Sequence, residues 1–150
     1  MAQPFSLQPL LDIMQTRADE ATRQLGQLIA AEQNQRSRLQ MLEQYREEYA
    51  QRLRDATAEG VTRLILRNYQ DFLARIDEAI TQQRIVVSNS ERNTRAGQDH
   101  WQAQNTRLKA IDTLSQRHDA RERHRENRQE QKIQDEFSTR KYGTGKLSDD

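Results

Sequence analysis

Three histidines, His100, His118 and His124, are the side chains of this sequence best suited to bind a metal or transfer a proton. His118 and His124 are six residues apart. On a helix this spacing puts them on different faces, so they cannot hold one ion together. No third ligand converges on either, and the chain has no cysteine. We therefore predict no metal site.

Carboxylates are abundant, with 23 Asp and Glu residues among 150. A carboxylate pair works as acid and base only inside a pocket that desolvates it, and only 33% of the residues are hydrophobic, too few for such a pocket. Gly60 and Gly97 are isolated, so no glycine-rich loop can cradle a phosphate. We expect a protein without enzymatic activity and without a cofactor.

The low apolar content and the mean hydropathy of -1.13 allow either a disordered chain or a coiled coil with a narrow buried seam. The net charge of +1 gives no bulk attraction to nucleic acid or to an anionic membrane. No apolar run approaches the roughly 20 residues that span a bilayer, and the N-terminus lacks a signal-peptide pattern. We expect a soluble cytoplasmic protein.

The first half of the chain has the periodicity of a coiled coil. Its apolar residues recur at alternating steps of three and four, which is typical of a helix with one buried seam. Ser6 is a candidate N-cap, and the predicted helix covers about residues 6–57. The seam positions are Leu11, Met14, Ala18, Ala21, Leu25, Leu28, Glu32, Gln35, Leu39, Leu42, Arg46, Tyr49, Leu53 and Ala56.

A second seam follows a turn at about residues 58–62, where Gly60 suits a helix end and Thr62 can cap the next helix. A short turn makes two long helices antiparallel neighbours. The second helix is predicted over about 63–137, before a disordered tail at about 141–150. The seam positions are Ile65, Tyr69, Leu73, Ile76, Ile80, Gln83, Val87, Ser90, Thr94, Gly97, Trp101, Gln104, Leu108 and Ile111.

The predicted fold class is all-α: one long two-helix antiparallel coiled-coil domain over 1–150, with the second helix longer than the first. Folding the chain about residue 59 places Trp101 opposite Ala18 and the weak stretch 88–99 opposite Leu28 to Ala21. Roughly 25 residues of the second helix, about 35 Å, then extend past the first. This extension is either a solvated, frayed helix or a segment that becomes ordered against a partner.

Two groups of residues outside the seams could bind partners. Phe72 and Ala79 widen the apolar stripe near the turn, either as local core or as an exposed binding patch. Cations and carboxylates nearly balance between Arg117 and Lys141, which argues against binding to a phosphate backbone and favours a protein partner.

Five segments then carry a resemblance to a known family: Leu25-Gly26, MLEQY at 41–45 with Tyr49, NYQDFLARIDEAITQQR at 68–84, Trp101 with Arg107-Leu108, and ENRQEQKIQDEF at 126–137. In this order, over about residues 1–140, the chain resembles the FliJ family. Members are small coiled-coil components of the bacterial flagellar type III export apparatus.

The resemblance implies an antiparallel coiled coil similar to the rotor stalk of the rotary ATPase gamma subunit. It implies binding at the centre of the hexameric flagellar export ATPase, whose assembly and activity it promotes, with contacts to the export-gate membrane protein and to export chaperones. It also implies a cytoplasmic protein at the flagellar base, peripherally associated with the inner face of the cell membrane.

Residue by residue, the resemblance assigns export-gate binding to Phe72, Ile76 and Ala79, with Gln83 at a position where the family often has His. It also assigns ATPase binding to four residues near the C-terminus: Arg125, Arg128, Lys132 and Asp135.

The periodicity alone leaves another function open, a generic scaffold that self-associates. The adaptor should be a monomer, because a hairpin satisfies its own seam. The charge balance disfavours a nucleic-acid binder.

Overall fold

The computed structural model describes residues 3–146 and contains two helices that pack against each other. Helix α1 covers Gln8–Glu59 and helix α2 covers Arg63–Lys146. No strand occurs among the residues described. The predicted class, an all-α antiparallel two-helix coiled coil with a longer second helix, is confirmed.

The connection between the helices uses the residues that the sequence suggests. Gly60 has a φ of 91°, in the left-handed region that glycine adopts at the end of a helix. The side-chain oxygen of Thr62 accepts a hydrogen bond from the backbone N–H of Ile65 at 3.3 Å, which caps the start of α2.

Both predicted seams lie between the helices, with two exceptions. Every predicted position of α1 is buried or half-buried except Arg46. Every predicted position of α2 is buried or half-buried except Ile65, which is 44% exposed. Leu66 replaces Ile65, because the alternation of three and four continues backwards from Tyr69 to residue 66.

Contacts divide the chain into two units, each built from parts of both helices. The turn unit is Asp19–Ala103, and the terminal unit contains the described residues of Met1–Ala18 and Gln104–Asp150. A single domain over the whole chain stays a prediction.

Three α2 side chains at seam positions hydrogen-bond to α1 and define the register of the turn unit. The indole N–H of Trp101 donates to the hydroxyl of Thr22 at 2.9 Å, and the hydroxyl of Thr94 donates to the carbonyl of Leu28 at 3.4 Å. Gln83 Nε2 lies 2.9 Å from both the backbone and side-chain oxygens of Gln35. The Gln83–Gln35 contact agrees with a fold about residue 59, and the long Trp101 side chain reaches Thr22, four residues along α1 from the predicted Ala18.

Large residues of α1 face small ones of α2 in this unit, as predicted for the weak stretch. A Cβ atom built on Gly97 would lie 2.5 Å from Cδ1 of Leu28 and 3.6 Å from Cδ1 of Leu25. Because Gly97 has no side chain, the Leu28 side chain has room to pack against α2.

In the terminal unit, residues 3–6 lie along α2 without being helical, and we call them the N-terminal strap. His118 Nε2 lies 2.9 Å from the carbonyl oxygen of Gln3, and the N–H of Gln3 donates to Glu122 at 3.3 Å. The rings of Phe5 and His118 are 5.5 Å apart. His118 and Glu122 continue the heptad seam of α2, so the strap covers it past the start of α1.

Residues 123–143 of α2 are all exposed, and we call them the projecting segment. The helix ends at Lys146, beyond the end predicted near 137, so residues 141–146 are helical and do not form a disordered tail. No proline interrupts this stretch, so every backbone N–H can join the helix. The rest of the predicted tail, 147–150, lies outside the described residues.

Candidate partner-binding surfaces

One flank of the α2 seam in the turn unit is closed by ion pairs with α1. Asp77 accepts a hydrogen bond from Arg46, and this bond, together with the negative charge of Asp77, raises the pKa of the Arg46 guanidinium. Arg84 lies 3.7 Å from Glu43, and Glu91 lies 2.8 Å from Arg36. The three α2 residues are spaced by seven and directly follow seam positions Ile76, Gln83 and Ser90. Such exposed pairs contribute little stability, but they occupy this flank.

The other flank of α2 in the turn unit is lined by apolar residues instead of ion pairs. Ile65, Phe72, Ala79 and Val86 are also spaced by seven, each one residue before a seam position, and we call them the apolar stripe. Ile65 is 44%, Phe72 40% and Val86 39% exposed, and Ala79 is exposed as well. The structure thus places an apolar surface beside the seam.

The predicted export-gate residues divide between this stripe and the seam below it. Phe72 and Ala79 belong to the stripe, at the edge of the seam as predicted. Ile76 is only 7% exposed, and Gln83 is half-buried and hydrogen-bonded to Gln35. Only Phe72 and Ala79 therefore offer substantial side-chain surface, whereas Ile76 and Gln83 fix the backbone that carries them.

Tyr49 of α1 connects the stripe to a cation. Its ring centroid lies 4.3 Å from that of Phe72, with the rings tilted by 43°. The guanidinium carbon of Arg52 lies 4.9 Å from the same ring, a cation–π contact. Phe72 is thus both local core, through Tyr49, and partly exposed, so the two interpretations of its role are compatible.

Three arginines border the stripe. Arg38 and Arg52 each precede a seam residue of α1, which places them on the flank that faces the stripe. Arg75 lies two residues after Leu73 on the outer side of α2. Within residues 3–146, no carboxylate lies within ion-pair distance of these three guanidinium groups. We call them the arginine rim. Sequence reasoning missed it, together with Ile65 and Val86 as surface residues, although the seven-residue spacing was a usable signal.

The projecting segment carries the second candidate surface. Arg125, Arg128 and Lys132 line one shallow groove on the helix surface with Arg121, His124 and Gln129. Spacings of three and four place the cations on one face. Asp135, the fourth predicted ATPase-binding residue, lines a different depression with Ser138, Thr139 and Tyr142. The structure therefore brings three of the four predicted residues together.

The part of the chain that the structure describes contains neither a metal-binding cluster nor a membrane-spanning helix. No group of three His, Asp or Glu side chains there could hold a metal ion. None of the described helices has the length and apolarity required to cross a membrane. The candidate sites are the apolar stripe and the cationic face of the projecting segment.

Two long helices joined by a tight turn, with an apolar stripe and a cationic face outside their seam, define a coiled-coil hairpin protein. The model of the flagellar FliJ protein family matches residues 3–146. The flagellar FliJ protein of Salmonella typhi is 32% identical over 140 residues, covering 93% of this chain and 95% of the relative. The Escherichia coli K12 flagellar FliJ protein is 31% identical over the same shares. This chain therefore belongs to the flagellar FliJ protein family, as the sequence resemblance predicted.

Proposed function

We propose that this chain is a non-enzymatic, stalk-like subunit of the flagellar type III export apparatus. It binds the centre of the hexameric export ATPase, promotes its assembly and activity, and links it to the export gate and to export chaperones. It acts in the cytoplasm at the inner face of the membrane, at the flagellar base. Family membership supports the coarser statement, a component of the flagellar export apparatus.

The finer proposal rests on one observation. Each unit has one surface that is not covered by the packing of the two helices. In the terminal unit this surface is the cationic face of the projecting segment. In the turn unit it is the apolar stripe. An adaptor between two partners needs two such surfaces of different chemistry, so that its partners do not compete.

The cationic face is assigned to the ATPase. A stalk inside a ring meets several equivalent subunits, and solvated charged contacts hold it without making any one position a deep trap. Arg125→Glu with Arg128→Glu should abolish stimulation of the purified export ATPase. Arg123→Glu is the control, because Arg123 lies outside the groove, in another depression with Asp119 and Glu126. Full stimulation by the double variant would contradict the assignment.

The apolar stripe is assigned to the export gate. Phe72→Ala should weaken retention of the gate protein's cytoplasmic part in a pull-down, because it removes the largest side chain of the stripe. Ile76→Ala is a poor probe, because Ile76 is buried and its truncation costs stability. Circular dichroism melting of Phe72→Ala checks the fold, since Phe72 also contacts Tyr49. Undiminished retention would remove the Phe72 assignment.

A further inference from the structure

The apolar stripe repeats like the seam of a coiled coil, although it lies outside the seam of the hairpin. Ile65, Phe72, Ala79 and Val86 recur every seven residues without a break, over about 32 Å of helix. A regular row of this length matches the way in which one more α-helix would pack along the hairpin. A compact loop would contact two or three neighbouring side chains and would not need the whole row.

The charges beside the stripe indicate the sign of the partner. The ion-paired flank of α2 carries both signs, and each of its charges has an opposite charge on α1. The arginine rim consists of Arg38, Arg52 and Arg75. The α1 residues at the same seven-residue spacing as Arg38 and Arg52 include one carboxylate, Glu59, next to the turn. A partner helix whose flanks carry carboxylates would be attracted to this rim, because its charge is opposite to that of the arginines.

We propose that one amphipathic, acidic α-helix of the export gate's cytoplasmic part packs along the apolar stripe, as a third helix beside the two helices of the hairpin. Ile65 and Val86 are then binding residues, in addition to Phe72 and Ala79, and the arginine rim sets the charge preference. This inference rests on the proposed gate-binding function, and it adds the length of the interface, the secondary structure of the partner and its charge.

The chain supplies matched controls at both ends of the stripe. Leu64 and Ile85 directly precede Ile65 and Val86, are 70% and 52% exposed, and point away from the seam. Ile65→Ser with Val86→Ser should weaken binding of the gate's cytoplasmic part at least about tenfold in isothermal titration calorimetry. Leu64→Ser with Ile85→Ser should change affinity less than about twofold. Melting curves of both double variants check that the hairpin is intact.

Two further measurements test charge and helical structure. Arg38→Glu with Arg75→Glu should weaken binding and reduce its salt dependence, whereas Arg92→Glu, on the outer face of α2, should not. Hydrogen exchange of the gate fragment should show one continuous protected segment of about 20 residues, as a helix along about 32 Å requires. Protection of a short loop, or of several separate β-strands, would contradict the proposed third helix.

The outcomes separate this inference from the function on which it rests. If Phe72→Ala weakens gate binding but the Ile65 and Val86 double variant does not, the proposal of a third helix is wrong and the gate-binding function stands. If the wild-type chain does not bind the gate fragment, both fail. If the stripe variants instead turn a dimer into a monomer in analytical ultracentrifugation, the occupant is a second copy of the chain, and the inference is wrong.

Discussion

Two glycines of the turn unit differ in what a methyl group would meet. Nothing lies within 4 Å of a Cβ built on Gly26, whereas one built on Gly97 meets Leu28 at 2.5 Å. Gly26→Ala should raise the free energy of unfolding by about 0.8–1 kcal/mol, the helix-propensity gain. Gly97→Ala should gain less, because Leu28 must move, and Gly97→Val should destabilise the hairpin by about 1–3 kcal/mol. Urea denaturation measures all three.

Gln83 is held by Gln35 through two 2.9 Å contacts, and its neighbour Gln82 is exposed. Gln83→Ala should cost about 1–2 kcal/mol, because it leaves polar groups of Gln35 unpaired in a part-buried site. Gln82→Ala should stay within about 0.5 kcal/mol of the wild type. Equal effects of the two substitutions on urea denaturation would show that this polar layer contributes nothing to stability.

Among the elements, the N-terminal strap is held by His118 and Glu122 of α2. His118 contacts both Gln3 and Phe5, so His118→Ala should loosen the strap and speed amide exchange of residues 3–7. His124→Ala is the control, since His124 lies on another face of α2 and is exposed. Unchanged exchange at Phe5 in the His118 variant would show that the strap is held by something else.

The seams were predictable from sequence because burial along a helix imposes a period, and a period survives small errors in helix ends. The register was predictable only to about one turn, because long side chains reach along the partner helix: Gln83 bonds to Gln35 as expected, whereas Trp101 bonds to Thr22. The strap has no period, and it forms through contacts between residues more than a hundred positions apart. The apolar stripe was partly found, at Phe72 and Ala79, and its ends were missed because Ile65 fitted a seam position equally well.

For the whole molecule, two segments of α2 should differ in the protection of their backbone amides. Residues 123–143 are all exposed, whereas Ile76, Ile80 and Val87 are buried. Amides of the projecting segment should exchange orders of magnitude faster than those at 76–87. Adding the export ATPase should slow exchange in the projecting segment. Equal protection in the free protein would imply an unrecognised contact.

The oligomeric state separates the adaptor from a self-associating scaffold. A hairpin that fills its own seam has no need of a second copy, so sedimentation equilibrium should give the mass of one chain, 17.7 kDa, at micromolar concentration. A concentration-dependent dimer that the Val86→Ser variant abolishes would favour the scaffold.

The hydrogen bond between Trp101 and Thr22 makes the turn unit spectroscopically convenient. Trp101 is the one tryptophan of the chain, it is half-buried, and its indole N–H bonds across to the other helix. Its emission wavelength therefore reports on whether the two helices are paired at that point, without a label and without background from another indole. Rapid mixing with denaturant, followed by fluorescence, would time the separation of the helices in the unmodified protein.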